Sequence, residues 1–515
     1  MSSHVRHVRH ARHAALAFGA AAPLSLFLCA PPANAQTPSA PALETVVVTA
    51  NPLGSGLFGI AQPVGVLDGA LLDARRAASL GETLSGEPGV SATAFGPNAS
   101  RPVIRGLDAD RIRLLQTGAT SLDASSLSYD HAVAVEPLVA ERIEIVRGPA
   151  ALLYGGSALG GAVNVIDNRI PGAPIEGVSG RAELRYGGAA RERAGVALLE
   201  GGNGRIAWHA DAYRRSTDDL RIPGFARSAR QRELDAAADP PAEQPRDRLP
   251  NTASRSEGGA LGAAWTWASG HAGVSFGSLR SDYGTPAEED VSIRMRKDSV
   301  DFSSELRELP GLVKTLRLRA SHADYHHDEV ERADGEVHAR FENRGHELRV
   351  EAVHADLGPL KGMLGLQHGS SSFSAQGHEA FLPRTRSRTT ALFVHEELAR
   401  PGWKLGFGAR LEQGRIASAG GGVDGHGSDG HEDHGHDDHD HDGHDAHADE
   451  DRFGPALSRR FSARSLSSGL ILDLAPGLAL AANASYTERM PTHYELFSNG
   501  PHAATGTWEI GDPSL

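Results

Sequence analysis

One cysteine, Cys29, occurs in 515 residues. A lone thiol excludes the disulfide scaffolding of small secreted domains. Aromatic residues make up only 5% of the chain, which argues against heavy aromatic girdles at two membrane surfaces. After the first 35 residues there is no run of about 18 apolar residues. Any membrane-spanning part must therefore be a closed β-barrel, because in lipid only helices and barrels satisfy all their backbone hydrogen bonds. The glycines between positions 148 and 161 are not followed by Lys-Ser/Thr and contain no G-x-G-x-x-G. This excludes a phosphate-cradling loop and leaves tight backbone turns as their use.

What is present begins with an export signal. Residues 4–13 include Arg6, Arg9 and Arg12, residues 14–28 are apolar-rich, and Ala33-Asn34-Ala35 supplies the small residues of a signal-peptidase site. Residues 1–35 are predicted to be removed, so that the mature chain starts at Gln36 and loses Cys29. Lipoprotein processing at Cys29 needs a small residue before it, where Leu28 stands. An exported chain without disulfides fits a bacterial cell envelope.

The most distinctive stretch is 425–451. Eight histidines, His426, His431, His434, His436, His439, His441, His444 and His447, fall within 22 residues, interleaved with aspartates. From 429 to 451 there are nine Asp, two Glu and no Lys or Arg, so −11 of the net charge of −14 belongs to this stretch. It has almost no side chain with which to build a core, and imidazole with carboxylate suits zinc, copper and nickel. The expectation is a flexible metal-capturing loop, zinc first on ligand type; the spacing does not separate zinc from nickel or copper, and a solvated acidic linker is the plain alternative. His431-Glu432 does not open a His-Glu-x-x-His metalloprotease signature, because Gly435 stands where the second histidine belongs.

The remaining chain divides by composition. Residues 36–52 form a linker containing a β-prone heptad, Glu44-Thr45-Val46-Val47-Val48-Thr49-Ala50. Residues 53–171 form a Gly-rich α+β region with a helical piece at 81–85 and short strands at 111–115 and 143–146. Beyond Gly177, segments of roughly ten residues alternate apolar and polar, as in Leu316, Leu318 and Ala320 against Arg317, Arg319 and Ser321. The same alternation is seen in Leu405, Phe407, Ala409 and Leu411 against Gly406, Gly408, Arg410 and Glu412. About 13 or 14 strands are expected; a soluble sandwich would also alternate, but the signal and the long polar connections favour lipid contact.

These residues reach a family. Arg101-Pro102-Val103-Ile104-Arg105-Gly106, Arg142-Ile143-Glu144-Ile145-Val146-Arg147-Gly148-Pro149 and Gly160-Gly161-Ala162-Val163-Asn164-Val165-Ile166 strongly resemble the plug of TonB-dependent outer-membrane receptors. By that resemblance residues 44–50 are the TonB box, 53–171 the plug and 177–515 a transmembrane β-barrel. Family barrels have 22 strands, so the resemblance implies that about eight are missing and that the chain is C-terminally truncated. It further implies a TonB-ExbB-ExbD energy-transducing partner, outer-membrane lipid around the barrel, no enzymatic activity and no nucleic-acid partner.

A closer likeness is to the zinc-uptake branch. Ser125-Ser126-Leu127-Ser128-Tyr129-Asp130-His131-Ala132-Val133 resembles its plug apex, Ser281-Asp282-Tyr283-Gly284-Thr285-Pro286 one of its extracellular loops, and Glu495-Leu496-Phe497-Ser498-Asn499-Gly500-Pro501-His502 a further segment. The resemblance implies a transport site for a divalent metal ion between Asp130, His131 and His502, with Glu288 or Glu289 as a further ligand. Zinc would be cargo, and no permanent cofactor is expected. His322, Asp324, His326 and Asp328 form a second cluster on one face of a strand, with His327 and Glu329 opposite; it reads either as a metal relay or as polar lumen lining. The alternatives are a receptor for haem, a siderophore or a nickel or copper chelate, which needs aromatic or cationic loops; a zinc hydrolase, which needs a base beside three ordered ligands; and a passive porin, for which plug and TonB box would be superfluous.

Overall fold

The computed structural model describes residues 53–54, 59–148, 151–238, 240, 243–377, 380–421 and 452–515. Seven short strands belong to the N-terminal part: β1 (Val64–Asp68), β2 (Val90–Ala92), β3 (Pro102–Ile104), β4 (Ile112–Gln116), β5 (Ala119–Thr120), β6 (Arg142–Arg147) and β7 (Gly161–Ile166). Five of them form one sheet in the order β1-β6-β7-β4-β5, in which only β4 and β7 are parallel. Ile143 and Ile145 of β6 and Val163 and Val165 of β7 pack with Leu67, Leu72 and Leu80 in a fully buried cluster. Each such side chain contributes about 2 kcal/mol through burial. Helix α1 (Gly69–Arg75) follows β1, and α2 (Leu80–Leu84) starts where the Ser79 hydroxyl accepts the Glu82 N–H at 3.3 Å. Gly161 has φ +145°, and a Cβ there would run into the Val146 carbonyl of β6. The glycine thus permits close approach of two strands.

Thirteen strands follow among the described residues. They are β8 (Glu176–Gly187), β9 (Glu192–Asn203), β10 (Ile206–Thr217), β11 (Ser254–Trp267), β12 (Gly270–Thr285), β13 (Glu288–Leu306), β14 (Val313–Glu331), β15 (Val337–His354), β16 (Leu360–Gly377), β17 (Thr385–Arg400), β18 (Trp403–Ser418), β19 (Leu457–Ala475) and β20 (Leu478–Thr487). Each pairs antiparallel with the next, from β8 at one edge to β20 at the other. A separate hairpin, β21 (Asn499–His502) with β22 (Thr507–Ile510), follows. No described helix is long and apolar enough to cross a membrane.

The period-two pattern sorts the two faces. Leu184, Leu261, Trp265, Leu364, Leu392, Leu411 and Leu466 are exposed on the outer face. So extended an apolar surface is a liability in water and is the lipid-facing band of a barrel. The inner face is polar and holds the N-terminal unit by polar links. Arg349 donates to the Leu153 carbonyl at 2.6 Å, Glu412 accepts the Gly156 N–H at 2.8 Å, Thr120 donates to Glu347 at 2.6 Å, and Arg215 pairs with Glu136 at 2.9 Å. The expected plug and barrel are both present, with thirteen strands where about 13 or 14 were expected.

Strand register fixes which loops share an end. Tyr325, Asn343, Phe373, Thr385, Ser418 and Leu457 are successive partners across β14 to β19. The longest connections, 218–253 and 419–456, leave from that end, while two-residue turns such as 268–269 and 401–402 close the other. Long loops mark the extracellular side of such barrels and short turns the periplasmic side.

Candidate metal centre

A plug loop and the outer end of a barrel strand meet at His131. Asp123 closes the base of the loop by accepting the N–H groups of Ser125 at 2.9 Å and Ala134 at 3.1 Å. Tyr283, near the outer end of β12, pins its tip: its hydroxyl accepts the Ala132 N–H at 2.7 Å and donates to the Asp130 carbonyl at 3.1 Å. Asp130 and His131 are consequently presented, both 2% exposed, to β14. There Nε2 of His131 lies 3.1 Å from a Glu329 carboxylate oxygen, and Nε2 of His327 lies 3.7 Å from the same oxygen.

One donor atom from each of His131, His327 and Glu329 falls within 4.8 Å of the others. Two of these buried side chains carry orphaned atoms. His327 Nε2 and Glu329 Oε2 have no hydrogen-bond partner, a condition that costs about 1–3 kcal/mol per buried group unless something binds there. The rings are already aimed. The Ala124 carbonyl, 3.1 Å from Nδ1 of His131, and the Tyr325 hydroxyl, 2.8 Å from Nδ1 of His327, engage the remote nitrogens, so that both Nε2 atoms face the Glu329 carboxylate. Phe341 stacks on His327 at 4.6 Å and meets His131 edge-on at 5.1 Å, which keeps water from one side. Burial opposes a charge on His131, but Asp130 and Glu329 outweigh it and lift its pKa to about 9. Imidazole and carboxylate donors in this number suit a tetrahedral ion with ligands at about 2.0–2.2 Å.

The sequence-predicted residues divide. Asp130, His131, Glu288 and His502 line one small cavity with Glu329 and Phe341. His502 is buried and directed inward: Nε2 lies 2.6 Å from the Ser128 hydroxyl and Nδ1 2.6 Å from Glu509. Ser128 in turn bonds the Asp130 carboxylate, so His502 must exchange Ser128 for an ion before it ligates. Glu289 does not join them, because Arg227 holds its carboxylate at 2.8 Å. His322 and His326 are a further correction. They share the outward parity of Leu316, Leu318 and Ala320, and their neighbours Asp324 and Asp328 pair with Arg344 and Arg340 at 2.7 Å on that outward face. The relay reading for them falls; His327 and Glu329, set aside as the opposite face, are the residues that reach the site. The histidine tract 425–451 and the heptad 44–50 lie outside the described residues. Ser418 and Leu457, which bracket the connection carrying the tract, stand at the same end of the sheet as this site.

Comparison with known proteins agrees with this architecture. Residues 57–162 match the TonB-dependent receptor plug domain, and residues 196–515 match the TonB-dependent receptor-like β-barrel. The vitamin B12 transporter of Photobacterium profundum is 32% identical over 138 residues, covering 26% of this chain and 22% of that protein. The hemin receptor of Yersinia pestis is 34% identical over 121 residues, covering 23% and 18%. Among solved structures, a copper transporter, OprC, superposes with a TM-score of 0.66 at 15% identity over 84% of this chain and 66% of its own. The chain thus spans less than two thirds of these relatives. With a polar plug held inside an apolar-faced strand wall and both family models matched, the chain belongs to the TonB-dependent receptors of the outer membrane.

Proposed function

We propose that this receptor imports a transition-metal ion, zinc in preference to nickel or copper, and that the ion is held between Asp130 and His131 of the plug, His327 and Glu329 of β14, and His502. Residues 1–35 are assigned to an export signal, 36–52 to the linker bearing the TonB box, 53–171 to the plug and 177–515 to the barrel. The observation that carries the reading is the pair of unpartnered buried atoms, His327 Nε2 and Glu329 Oε2, beside His131. The cavity at His131 is small and lined by single-ion donors, which favours an ion there; a haem or siderophore would instead need the larger cavity lined by Arg101, Arg113, Arg489 and His493.

The mechanism follows from ligand exchange. Many weak His/Asp sites in the tract 425–451 raise the local ion concentration outside the cell, and a tighter buried site removes the ion from them. Binding couples a plug loop to a barrel strand, so occupancy biases the plug ensemble and the exposure of residues 44–50 to the periplasm. Uptake against a gradient draws work from a TonB-ExbB-ExbD complex, and no covalent bond of the cargo changes. The test is growth rescue: a strain lacking this protein recovers with added zinc and not with iron, nickel, copper or haem. Rescue by haem or iron alone would refute the reading.

A further inference from the structure

The outer face of the barrel carries a second feature above its apolar band. In the sector β10 to β15 the outward arginines are interleaved with acids: Arg296 pairs with Asp298, Arg340 with Asp328 and Arg344 with Asp324, each at 2.7 Å. Arg294 stands in register between Asp282 and Asp328, and Arg280 forms no ion pair with a described carboxylate. The sector β17 to β19 differs. Arg388, Arg415 and Arg460 are direct partners across three adjacent strands, and Arg386 lies two residues beyond Arg388 on the same exposed face. None of the four forms an ion pair with a described carboxylate, and the polar contact found for them is Arg415 to the Ser458 hydroxyl at 2.8 Å.

Like charges directly opposite one another destabilise a sheet. Neighbouring strands are about 4.8 Å apart, so three guanidinium groups are gathered within roughly 10 Å. Beneath them, on the same outward face of the same strands, stand the exposed Leu392, Leu411 and Leu466. The arginines therefore begin where the lipid-facing band ends, at the extracellular end of the sheet. Arginine forks match phosphate oxygens in pairs, and phosphate on a lipid anchored in that leaflet is the anion found at this height.

We propose that Arg388, Arg415 and Arg460, with Arg386, form a binding site for the phosphate groups of an outer-leaflet lipid headgroup. Held at its phosphates, such a lipid relieves the arginine repulsion and braces the strands from which the connection 419–456 leaves.

The experiment uses the purified receptor in detergent, titrated with lipid A carrying two phosphates, with dephosphorylated lipid A and with inorganic phosphate. Native mass spectrometry and thermal unfolding read binding. Diphosphorylated lipid A is expected to bind and to raise the unfolding temperature. The R388Q/R415Q/R460Q variant should bind it at least tenfold more weakly, whereas R340Q/R344Q should bind as the parent does. A β-sheet circular dichroism spectrum and a cooperative thermal transition verify that each variant is folded; if the triple variant does not fold, R388Q/R415Q replaces it. Equal binding of the lipid by parent and variant overturns the proposal, as does equal binding of dephosphorylated lipid. Saturation by inorganic phosphate at the same concentration overturns the lipid as the source. Deleting 425–451 should leave lipid binding in place, and binding that appears only after that deletion would assign the arginines to the acidic tract instead.

Discussion

On one face of the outer end of β14, His322, Asp324, His326 and Asp328 stand at the surface, and Arg344 and Arg340 take up the two carboxylates. On the other, His327 and Glu329 are buried, at 0% and 4% exposure, against a plug histidine, and each keeps an unpartnered polar atom. Composition is nearly the same on both faces; environment is not. Exposed ion pairs contribute at most about 1 kcal/mol and occupy the two carboxylates, whereas the buried face gathers His327 and Glu329, each with an unpartnered atom, against His131. The contrast teaches that ligand type alone does not single out a candidate metal site; the candidate on β14 is marked by burial of donor atoms left without hydrogen bonds.

The comparison breaks most directly at Glu329. Glu329→Ala should weaken zinc binding by on the order of 100-fold or more, measured by calorimetry on the detergent-purified protein. The tract 425–451 will contribute weak sites of its own, so the titration is best run with that stretch deleted. Acidity should have the next largest effect. Because His131 has a pKa raised to about 9, it is protonated at neutral pH and must release that proton to bind an ion. Affinity should rise about tenfold per pH unit between roughly 7 and 9 and flatten above. The sign for the ion-free fold is the reverse: the stabilisation from protonated His131 is complete below about 6.5 and is lost as pH rises through about 9.

A smaller effect sharpens the aim of the dry face. Tyr325→Phe removes the hydroxyl at Nδ1 of His327 while keeping the ring, and affinity should fall about tenfold, with the unfolding temperature changed far less. The least effect belongs to the wet face. His322→Ala with His326→Ala should alter zinc affinity by less than about twofold, since surface substitutions away from the site rarely exceed about 0.5 kcal/mol. A loss comparable to that of Glu329→Ala would erase the distinction between the faces.

Much of the fold was legible because it is carried by local pattern. The helical piece at 81–85 and the strands at 111–115 and 143–146 appear as α2, β4 and β6 with boundaries shifted by a residue or so, and the alternation in 316–321 and 405–412 assigned the lipid face correctly. Of the candidate site, Asp130 and His131 were picked out by the plug-apex segment 125–133 and His502 by the segment 495–502, and the fold brings these residues to one cavity. Glu289 was not separable from Glu288, because its capture by Arg227 arises from the distant connection 218–253. His327 and Glu329 had a usable signal: they share parity with Arg317 and Arg319, not with Leu316 and Leu318. Carrying that parity along β14 points them inward. What the strand pattern could not supply is the plug loop opposite, since the meeting of His131 with Glu329 spans 198 residues.

A crystal of the receptor equilibrated with zinc and measured at the zinc absorption edge tests the central claim most directly. The expected result is an anomalous peak about 2.0–2.2 Å from His131 Nε2, His327 Nε2 and a Glu329 oxygen. A fully occupied ion elsewhere, with these three side chains unmoved and unliganded, would contradict it.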